Sequence, residues 1–462
     1  MMLEAPLLSV LRTVDSGGLP RDLEEFAADL LGVDSLFVAV VSGGGSLRED
    51  FLLTVAEWVA RCEHLDMLYS DETFLGADGS IVPVLKPDFD AERLRCQFYL
   101  GSVIVYRMSL IREIAGLRAE LRGAALYDLA LRASRRARSV VHTTDRLFAG
   151  EASVQLGAVQ SQDLPLVRTA LEQYLAETGG GMVDEVHTDG VHATHRGVVG
   201  NPLVSIIIPT RGLWSSETSG RKSLLLEAVR SIEALSTYSA IEYVIVYDSV
   251  AEPEILESLA IECGSRLRLV EWTYSFNFSG KINLGAVNSS GEYLLVLNDD
   301  VELIAPGWIE AMLALAQLPG AGMAGCMLYY EDETIQHAGH GYWRGDATHI
   351  GMFEPRNSVG PLDGYRVERR VLGVTAACAL MPRAVYLEVG GMTALLPGNF
   401  NDVDLCMKVT TAGYQIYWTP RASLYHYESK TRIAAVRKYE VDVAWGRWGS
   451  RMHDPRFWPY AV

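Results

Sequence analysis

One half-domain pattern occurs twice in this chain, and that limits what it can fold into. Residues 294–303 read LLVLNDDVEL and residues 38–47 read VAVVSGGGSL: each is an apolar strand run closed by a turn. Downstream, CMLYYEDET (326–334) answers DMLYSDET (66–73), DVDLCMK (402–408) answers LYDLALR (126–132), and ASLYHYES (422–429) answers DRLFAGEAS (145–153). Self-similarity in this order means two copies of one supersecondary plan, each running strand, turn, helix, strand, helix, acidic motif, strand. The copies part at the polar positions. Asn298, Asp299 and Asp300 stand opposite Ser42, Gly43 and Gly44, Asp402 opposite Leu126, and His426 opposite Ala149, while Asp404 alone keeps its partner, Asp128. The second copy also has about ninety residues of strand and helix pattern ahead of its LLVLNDD run, where the first has a few tens. The first copy therefore lacks a front half as well as the side chains.

At 462 residues and 49% hydrophobic content, the chain can build two or three domains with substantial cores. No apolar run approaches the roughly 20 residues that span a bilayer, and MMLEAPLLSV has no basic flank of a signal peptide. The expectation is a cytoplasmic protein, peripheral at most on the inner face of the cell membrane. The six cysteines sit singly in apolar stretches, which fits reduced core thiols rather than zinc or disulfides. A net charge of −18 argues against a nucleic-acid partner. The basic stretch LRASRRARS (131–139) is either a solvated helix face or a contact for anionic head groups.

Punctuation sets the expected boundaries: a truncated copy over 1–155, a linker over 156–200, and the armed domain over 201–462. Within the linker, two valine-containing arms around Asp189-Gly190 predict a β-hairpin. Its His187, His192 and His195 match no common metal spacing and read as loop residues. The armed domain opens on PLVSIIIPTRG, a β-branched run of the kind found in buried parallel strands, and continues with a helix pattern, EYVIVYDS, RLRLVEW, a second helix pattern and LLVLNDD. Strands alternating with helices predict a doubly wound α/β sheet that takes its ligand beyond the carboxyl ends of the strands. Thr210, Asp248 and Asn298-Asp299-Asp300 all fall at such ends.

The triplet offers hard oxygen ligands on rigid backbone, as a divalent cation bridging a diphosphate requires. The competing reading is an Asn-Asp helix cap. The stripped SGGG in the other copy favours the ligand reading, since a cap alone has no need of the acids. Asp248 suits the imide N–H of a uracil or thymine ring, or is a strand-end turn residue. Asp402 and Asp404 open a predicted helix, where a carboxylate is stabilised by the helix N-terminus. Asp402, absent from the first copy, reads as a general base, and Asp404, retained there, as the fold-maintaining cap. His426 follows an aromatic strand and completes the metal site or is a core histidine.

Taken in order, VSIIIPTRG, VIVYDS, FNFSGKINLG (276–285), LLVLNDD, IQHAG (335–339), FNDVDLC and LYHYES resemble glycosyltransferase family 2, including rhamnosyltransferase-like enzymes of bacterial cell-surface polysaccharide synthesis. The resemblance covers roughly 200–462 and extends weakly to the N-terminal half. It implies a GT-A-type, Rossmann-like, mostly parallel sheet flanked by helices, preceded by a truncated degenerate GT-A-like domain. It also implies an inverting enzyme with a nucleotide-sugar donor (UDP- or dTDP-linked), a saccharide or lipid-linked acceptor, and Mg2+ or Mn2+ as divalent cation. Carried over, Thr210 and Asp248 contact the nucleoside, Asp300 and His426 the metal, Asn298, Asp299, Lys281 and Asn283 lie near the donor, Lys281 stabilises the departing diphosphate, and Asp402 is the base. Three departures stand out: NDD replaces the commoner D-x-D, Ala376 stands where the family has Gly, and GLWSSETSGRK (212–222) is longer than the usual loop. Two other classes remain open, a non-catalytic sugar- or nucleotide-binding scaffold and a nucleotidyltransferase. An acceptor-positioning role for the first copy, peripheral membrane contact and self-association are further partner options.

Overall fold

The computed structural model describes residues 6–14, 21–76, 78–151, 157–214, 222–427 and 436–460. They form two compact units, Met1–Arg196 and Gly197–Val462. Most of the long 212–222 segment lies outside the described residues, as do Glu428 and Ser429 of LYHYES. Among the described residues no helix is long and apolar enough to cross a membrane.

In the first unit the strands are β1 (Leu8–Arg12), β2 (Phe37–Val41), β3 (Gly45–Leu47), β4 (Met67–Leu75), β5 (Ile81–Val84), β6 (Val103–Arg107), β7 (Val140–Glu151), β8 (Met182–Glu185) and β9 (Ala193–His195). The second has β10 (Val204–Thr210), β11 (Ile241–Asp248), β12 (Leu267–Trp272), β13 (Tyr293–Leu297), β14 (Val301–Leu303), β15 (Ala321–Tyr329), β16 (Ile335–His337), β17 (His340–Trp343), β18 (Asp346–His349), β19 (Arg369–Val371), β20 (Cys378–Pro382) and β21 (Gln415–His426). The first main sheet is ordered β1-β2-β6-β4-β7-β3 with β5 on β4; the second is β12-β11-β10-β13-β20-β15-β21-β14 with β16 on β15 and β19 on β21. Without β11, β12 and β19 the two sheets coincide strand for strand. The sense of each pairing matches as well: β1/β2 and β10/β13 are parallel, β2/β6 and β13/β20 antiparallel, β4/β7 and β15/β21 parallel, β3/β7 and β14/β21 antiparallel. The expected mainly parallel sheet holds for β12 to β13; beyond β13 the second sheet is mixed.

The front of the second sheet is covered on both faces because its strands alternate between two cores. Ile206 and Ile208 of β10 pack with the helices Leu224–Leu235 and Pro253–Cys263, whereas Ile207 packs with the helix Phe278–Val287. Each fully buried Ile contributes roughly 1.5–3 kcal/mol. The helix Phe278–Val287 lies close to β10 through Gly285, where a Cβ would sit 2.4 Å from Ile207. That close approach carries Lys281 to the strand end.

The segment expected as a linker belongs to the first unit's core. The helix Leu164–Glu177 presents Val167, Leu171 and Leu175 to that core, since its apolar residues recur at helical spacing. The expected hairpin is present as β8 and β9. Its histidines differ in setting: His192 is buried and held at about 4 by desolvation, while His195 bonds Asp184 at 2.9 Å. Three of the four arginines in the basic stretch are paired within the unit, Arg132 with Asp128, Arg135 with Glu177 and Arg138 with Asp66. All six cysteines are free thiols.

The reading of Asp404 as a helix cap needs correction. The helix Asn401–Thr411 has Phe400 at its N-cap, with φ of 58° and no side-chain cap bond. Asp404 is fully buried and accepts from Thr393 Oγ1 at 2.6 Å and Trp448 Nε1 at 2.8 Å, pairs with Arg447 at 2.6 Å, and faces Lys408 at 3.5 Å. A position one turn into the helix points into the core, not at the free amides. Asp128 is its counterpart, buried between Arg118 and Arg132, again with a basic residue four positions on. Both copies retain this carboxylate because it ties a helix to its neighbours. We expect Asp404→Ala to cost about 3 kcal/mol, the low end for breaking a buried pair because Arg447 reaches water. Denaturant unfolding followed by tryptophan fluorescence measures it, and a loss under about 1 kcal/mol would contradict the tethering role of this buried carboxylate.

Candidate active site

At the carboxyl ends of β10, β11 and β13 the second unit has a cleft of about 960 Å³. Strand direction explains its place: three parallel strands deliver Thr210, Asp248 and the Asn298-Asp299-Asp300 turn to one side of the sheet. Thr210, Asp248, Lys281, Asn298, Asp299, Asp300, Asp402 and His426 all line it. Asn283 and Asp404 do not.

Lys281 holds the front wall. It is 1% exposed, and its Nζ donates to the Thr210 carbonyl at 2.7 Å and pairs with Asp248 Oδ1 at 2.5 Å. Burial lowers its pKa, an effect opposed by Asp248 and then by Asp299. This departs from the expectation of a cation kept for a diphosphate: the ammonium is already engaged in tying two strand ends together. The Thr210 hydroxyl donates to Asp299 Oδ2 at 2.6 Å. Desolvation, and then the charge of Asp300, push Asp299 up to about 6.

Asp300 and His426 meet across β14 and β21. The register pairs Val301 with His426, so the last residue of the acidic turn and the imidazole are neighbours, with Asp300 Oδ1 at 3.1 Å from His426 Nε2. Asn298 Nδ2 lies 3.0 Å from the same nitrogen. On the other side of the ring, Nδ1 bonds Gln336 Oε1 at 2.6 Å, which fixes the proton on Nδ1 and turns the Nε2 lone pair toward Asp300. In the first unit Gly45, the counterpart of Val301, pairs with Gly150, so the place of His426 is taken by Gly150 rather than Ala149.

Asp402 reaches the cleft from the first turn of the helix Asn401–Thr411. Its Oδ1 accepts from the Val403 amide at 2.8 Å, and Oδ2 lies 3.8 Å from His340 Nε2. Asn283 is elsewhere: its amide accepts from Tyr386 Oη at 2.5 Å and donates to the Met392 carbonyl at 2.9 Å. Two residues beyond Lys281 a helix has turned by about 200°, so the two side chains cannot share a wall. The sequence reading gave no role to Gln336, His349, Arg211 or Phe276, all of which line the cleft. IQHAG was the available signal for Gln336. The others lie on loops and a hairpin whose placement depends on tertiary contacts.

The position of Asp299 in this network can be measured. Replacing Thr210 with Val removes a donor that favours the carboxylate, so Asp299 should titrate above its value of about 6; Asp300→Asn removes a neighbouring negative charge and should move it down. Carboxyl 13C NMR of the two variants reads both directions, and a shift of the same sign in both would contradict the network.

Residues 205–389 match the family model Glycosyl transferase family 2. An uncharacterized protein of Sinorhizobium fredii is 33% identical over 439 residues, covering 90% of this chain and 47% of that protein. An O-antigen biosynthesis protein of Myxococcus xanthus is 30% identical over 413 residues, covering 86% of this chain and 31% of that protein. The chain thus spans less than half the length of these curated relatives. Among solved structures, GalNAc-T7 with UDP, GalNAc and Mn2+ aligns at a TM-score of 0.41 and 13% identity, covering 55% of this chain and 50% of that one. The second unit thus carries a glycosyltransferase family 2 domain over residues 205–389, and the cleft residues from Pro209 to Ala377 fall inside that match.

Proposed function

We propose that the second unit is an inverting glycosyltransferase, moving a sugar from a UDP- or dTDP-linked donor to a saccharide or lipid-linked saccharide acceptor in cell-surface polysaccharide synthesis. The similarity to the Myxococcus O-antigen protein supports the last part of this reading. The observation that carries the reading is the division of one cleft: a carboxylate–imidazole pair, Asp300 and His426, at the strand ends, and a separate helix-borne carboxylate, Asp402.

The donor set fits a divalent cation, Mg2+ or Mn2+. A carboxylate oxygen and an imidazole lone pair 3.1 Å apart have the separation of two adjacent ligands with bonds of roughly 2.0–2.2 Å. Gln336 holds the imidazole in the ligating tautomer. Asp300 and His426 would hold the ion, which when bound neutralises charge on the departing diphosphate. The chain's own residues do the rest. Thr210 and Asp248 meet the nucleoside, with Asp248 offering the base its Oδ2 while Oδ1 stays on Lys281. Asn298 and Asp299 face the donor phosphates. Asp402 takes the proton of the acceptor hydroxyl, so the sugar passes in one displacement without a covalent enzyme intermediate.

The first unit, under this proposal, is a degenerate copy with a structural or acceptor-positioning role. It has Ser42, Gly43 and Gly44 in place of the acidic turn, and among the described residues no strands correspond to β11 and β12.

Two variants test the assignment on the full chain. Asp402→Asn should bind a nucleotide sugar as the wild type does and lose roughly 10²- to 10⁴-fold in transfer rate. Asp300→Ala should lose the cation-dependent part of donor binding by calorimetry. Wild-type turnover in the first variant, or unchanged cation dependence in the second, would remove the corresponding role.

A further inference from the structure

The wall beside Asp402 contains three histidines that the mechanism above does not use. His337 and His340 are buried, His349 is half-buried, and their ligand-capable nitrogens lie within 4.8 Å of one another. Local sequence sets this up. Arg344 and Gly345, with φ of 52° and 95°, form the two-residue turn between β17 and β18, and their positive φ values are those a tight hairpin of this kind demands. The turn fixes the register in which His340 pairs with His349 and puts Tyr342, two residues on from His340, on the same face of β17. His340 N–H donates to the Gly373 carbonyl at 2.8 Å. Gly373 also leaves room for the side chains: a Cβ there would lie 2.7 Å from both His340 Nδ1 and the Tyr342 hydroxyl.

On the reading that Asp402 is the base, we propose that His340 is its positioning residue, held in one tautomer by Tyr342, so that a Tyr342–His340–Asp402 chain sets the orientation in which the carboxylate meets the acceptor hydroxyl. The Tyr342 hydroxyl is buried and 3.5 Å from His340 Nδ1, and burial lifts its pKa well above the usual range, so it remains a donor. With Nδ1 accepting, the single proton of a neutral imidazole sits on Nε2, the nitrogen that faces Asp402 Oδ2 at 3.8 Å. Desolvation outweighs the pull of Asp402 and lowers His340 to about 4, with His349 adding to the decrease. At neutral pH the ring is therefore a dipole aimed at the carboxylate, not a counter-charge that would quench its basicity. The other Asp402 oxygen is fixed by the Val403 amide, which leaves Oδ2 as the oxygen to be aimed. Closure by about 0.6 Å would make the contact a hydrogen bond, as catalytic contacts tighten when substrate binds.

A metal ion held by the three imidazoles is the competing use. His337 speaks against it: its Nε2 accepts from the Thr375 amide at 3.2 Å, so its proton is on Nδ1, a buried atom with no acceptor and no lone pair for a metal. His349 Nδ1 faces the Gln336 carbonyl at 3.2 Å.

Imidazole 15N NMR of the full chain tests the tautomer without substrate. The wild type should show His340 neutral with its proton on Nε2, and Tyr342→Phe should convert that signal to a tautomer mixture. An Nδ1–H tautomer, an imidazolium at pH 7, or stoichiometric movement of all three histidine signals on adding Zn2+ would overturn the proposal. In transfer assays with the nucleotide sugar the enzyme turns over, His340→Leu should lower kcat roughly 10- to 100-fold. Donor KM should stay the same, and His340→Gln, whose amide can still donate to the carboxylate, should recover part of the lost kcat. Equal kcat losses in His340→Leu and His340→Gln with an inactive Asp402→Asn sink this inference and leave the base; a fully active Asp402→Asn sinks the base itself.

Discussion

A buried ammonium organises the second unit's cleft. Lys281 places its charge where β10 and β11 end, binding the Thr210 carbonyl and the Asp248 carboxylate together. A buried amine is costly unless it is paired and hydrogen-bonded, and here both conditions are met by residues that also line the cleft. With the Thr210 carbonyl fixed, its hydroxyl is directed at Asp299, which ties the acidic turn to the end of β10. The helix that supplies Lys281 can approach β10 only because Gly285 has no side chain. Charge placement and close packing are thus one requirement.

The site's electrostatics follow from a second constraint, the crowding of like charges at a strand end. Asp299 and Asp300 are adjacent and poorly solvated, and Asp299 is raised to about 6. A bound cation would relieve that repulsion. Asp402 stands apart, on a helix whose other carboxylate, Asp404, is locked into the core by Trp448 and Arg447. Identical side chains two positions apart thus serve opposite ends, one exposed to the cleft and one holding the fold.

Much of this could be read from residue order. The duplicated plan was visible as paired segments, and the two sheets repeat it strand for strand because alternating apolar runs dictate which elements pair. Strand-end positions gave Thr210, Asp248 and Asn298 to Asp300, since a buried parallel strand has only one place to put a polar residue. What the sequence did not reveal depended on rotation and register. Asn283 shares a motif with Lys281, but helical twist sends it to Tyr386 and Met392. Asp404 has the spacing of a cap, yet it points into a basic, aromatic pocket. The alignment of His426 with Ala149 slipped by one residue because a short strand's pairing partner is set across the sheet, by Gly45 and Gly150. His340 and Tyr342 lie two residues apart on one hairpin strand, but Gly373, more distant in sequence, meets them only through tertiary packing.

The stereochemistry of the product tests the central claim most directly. The full chain, supplied with a nucleotide sugar that it turns over and an acceptor, should give a glycoside whose anomeric proton, by 1H NMR, reports the configuration opposite to that of the donor. Retention of the donor configuration would contradict a single displacement assisted by Asp402.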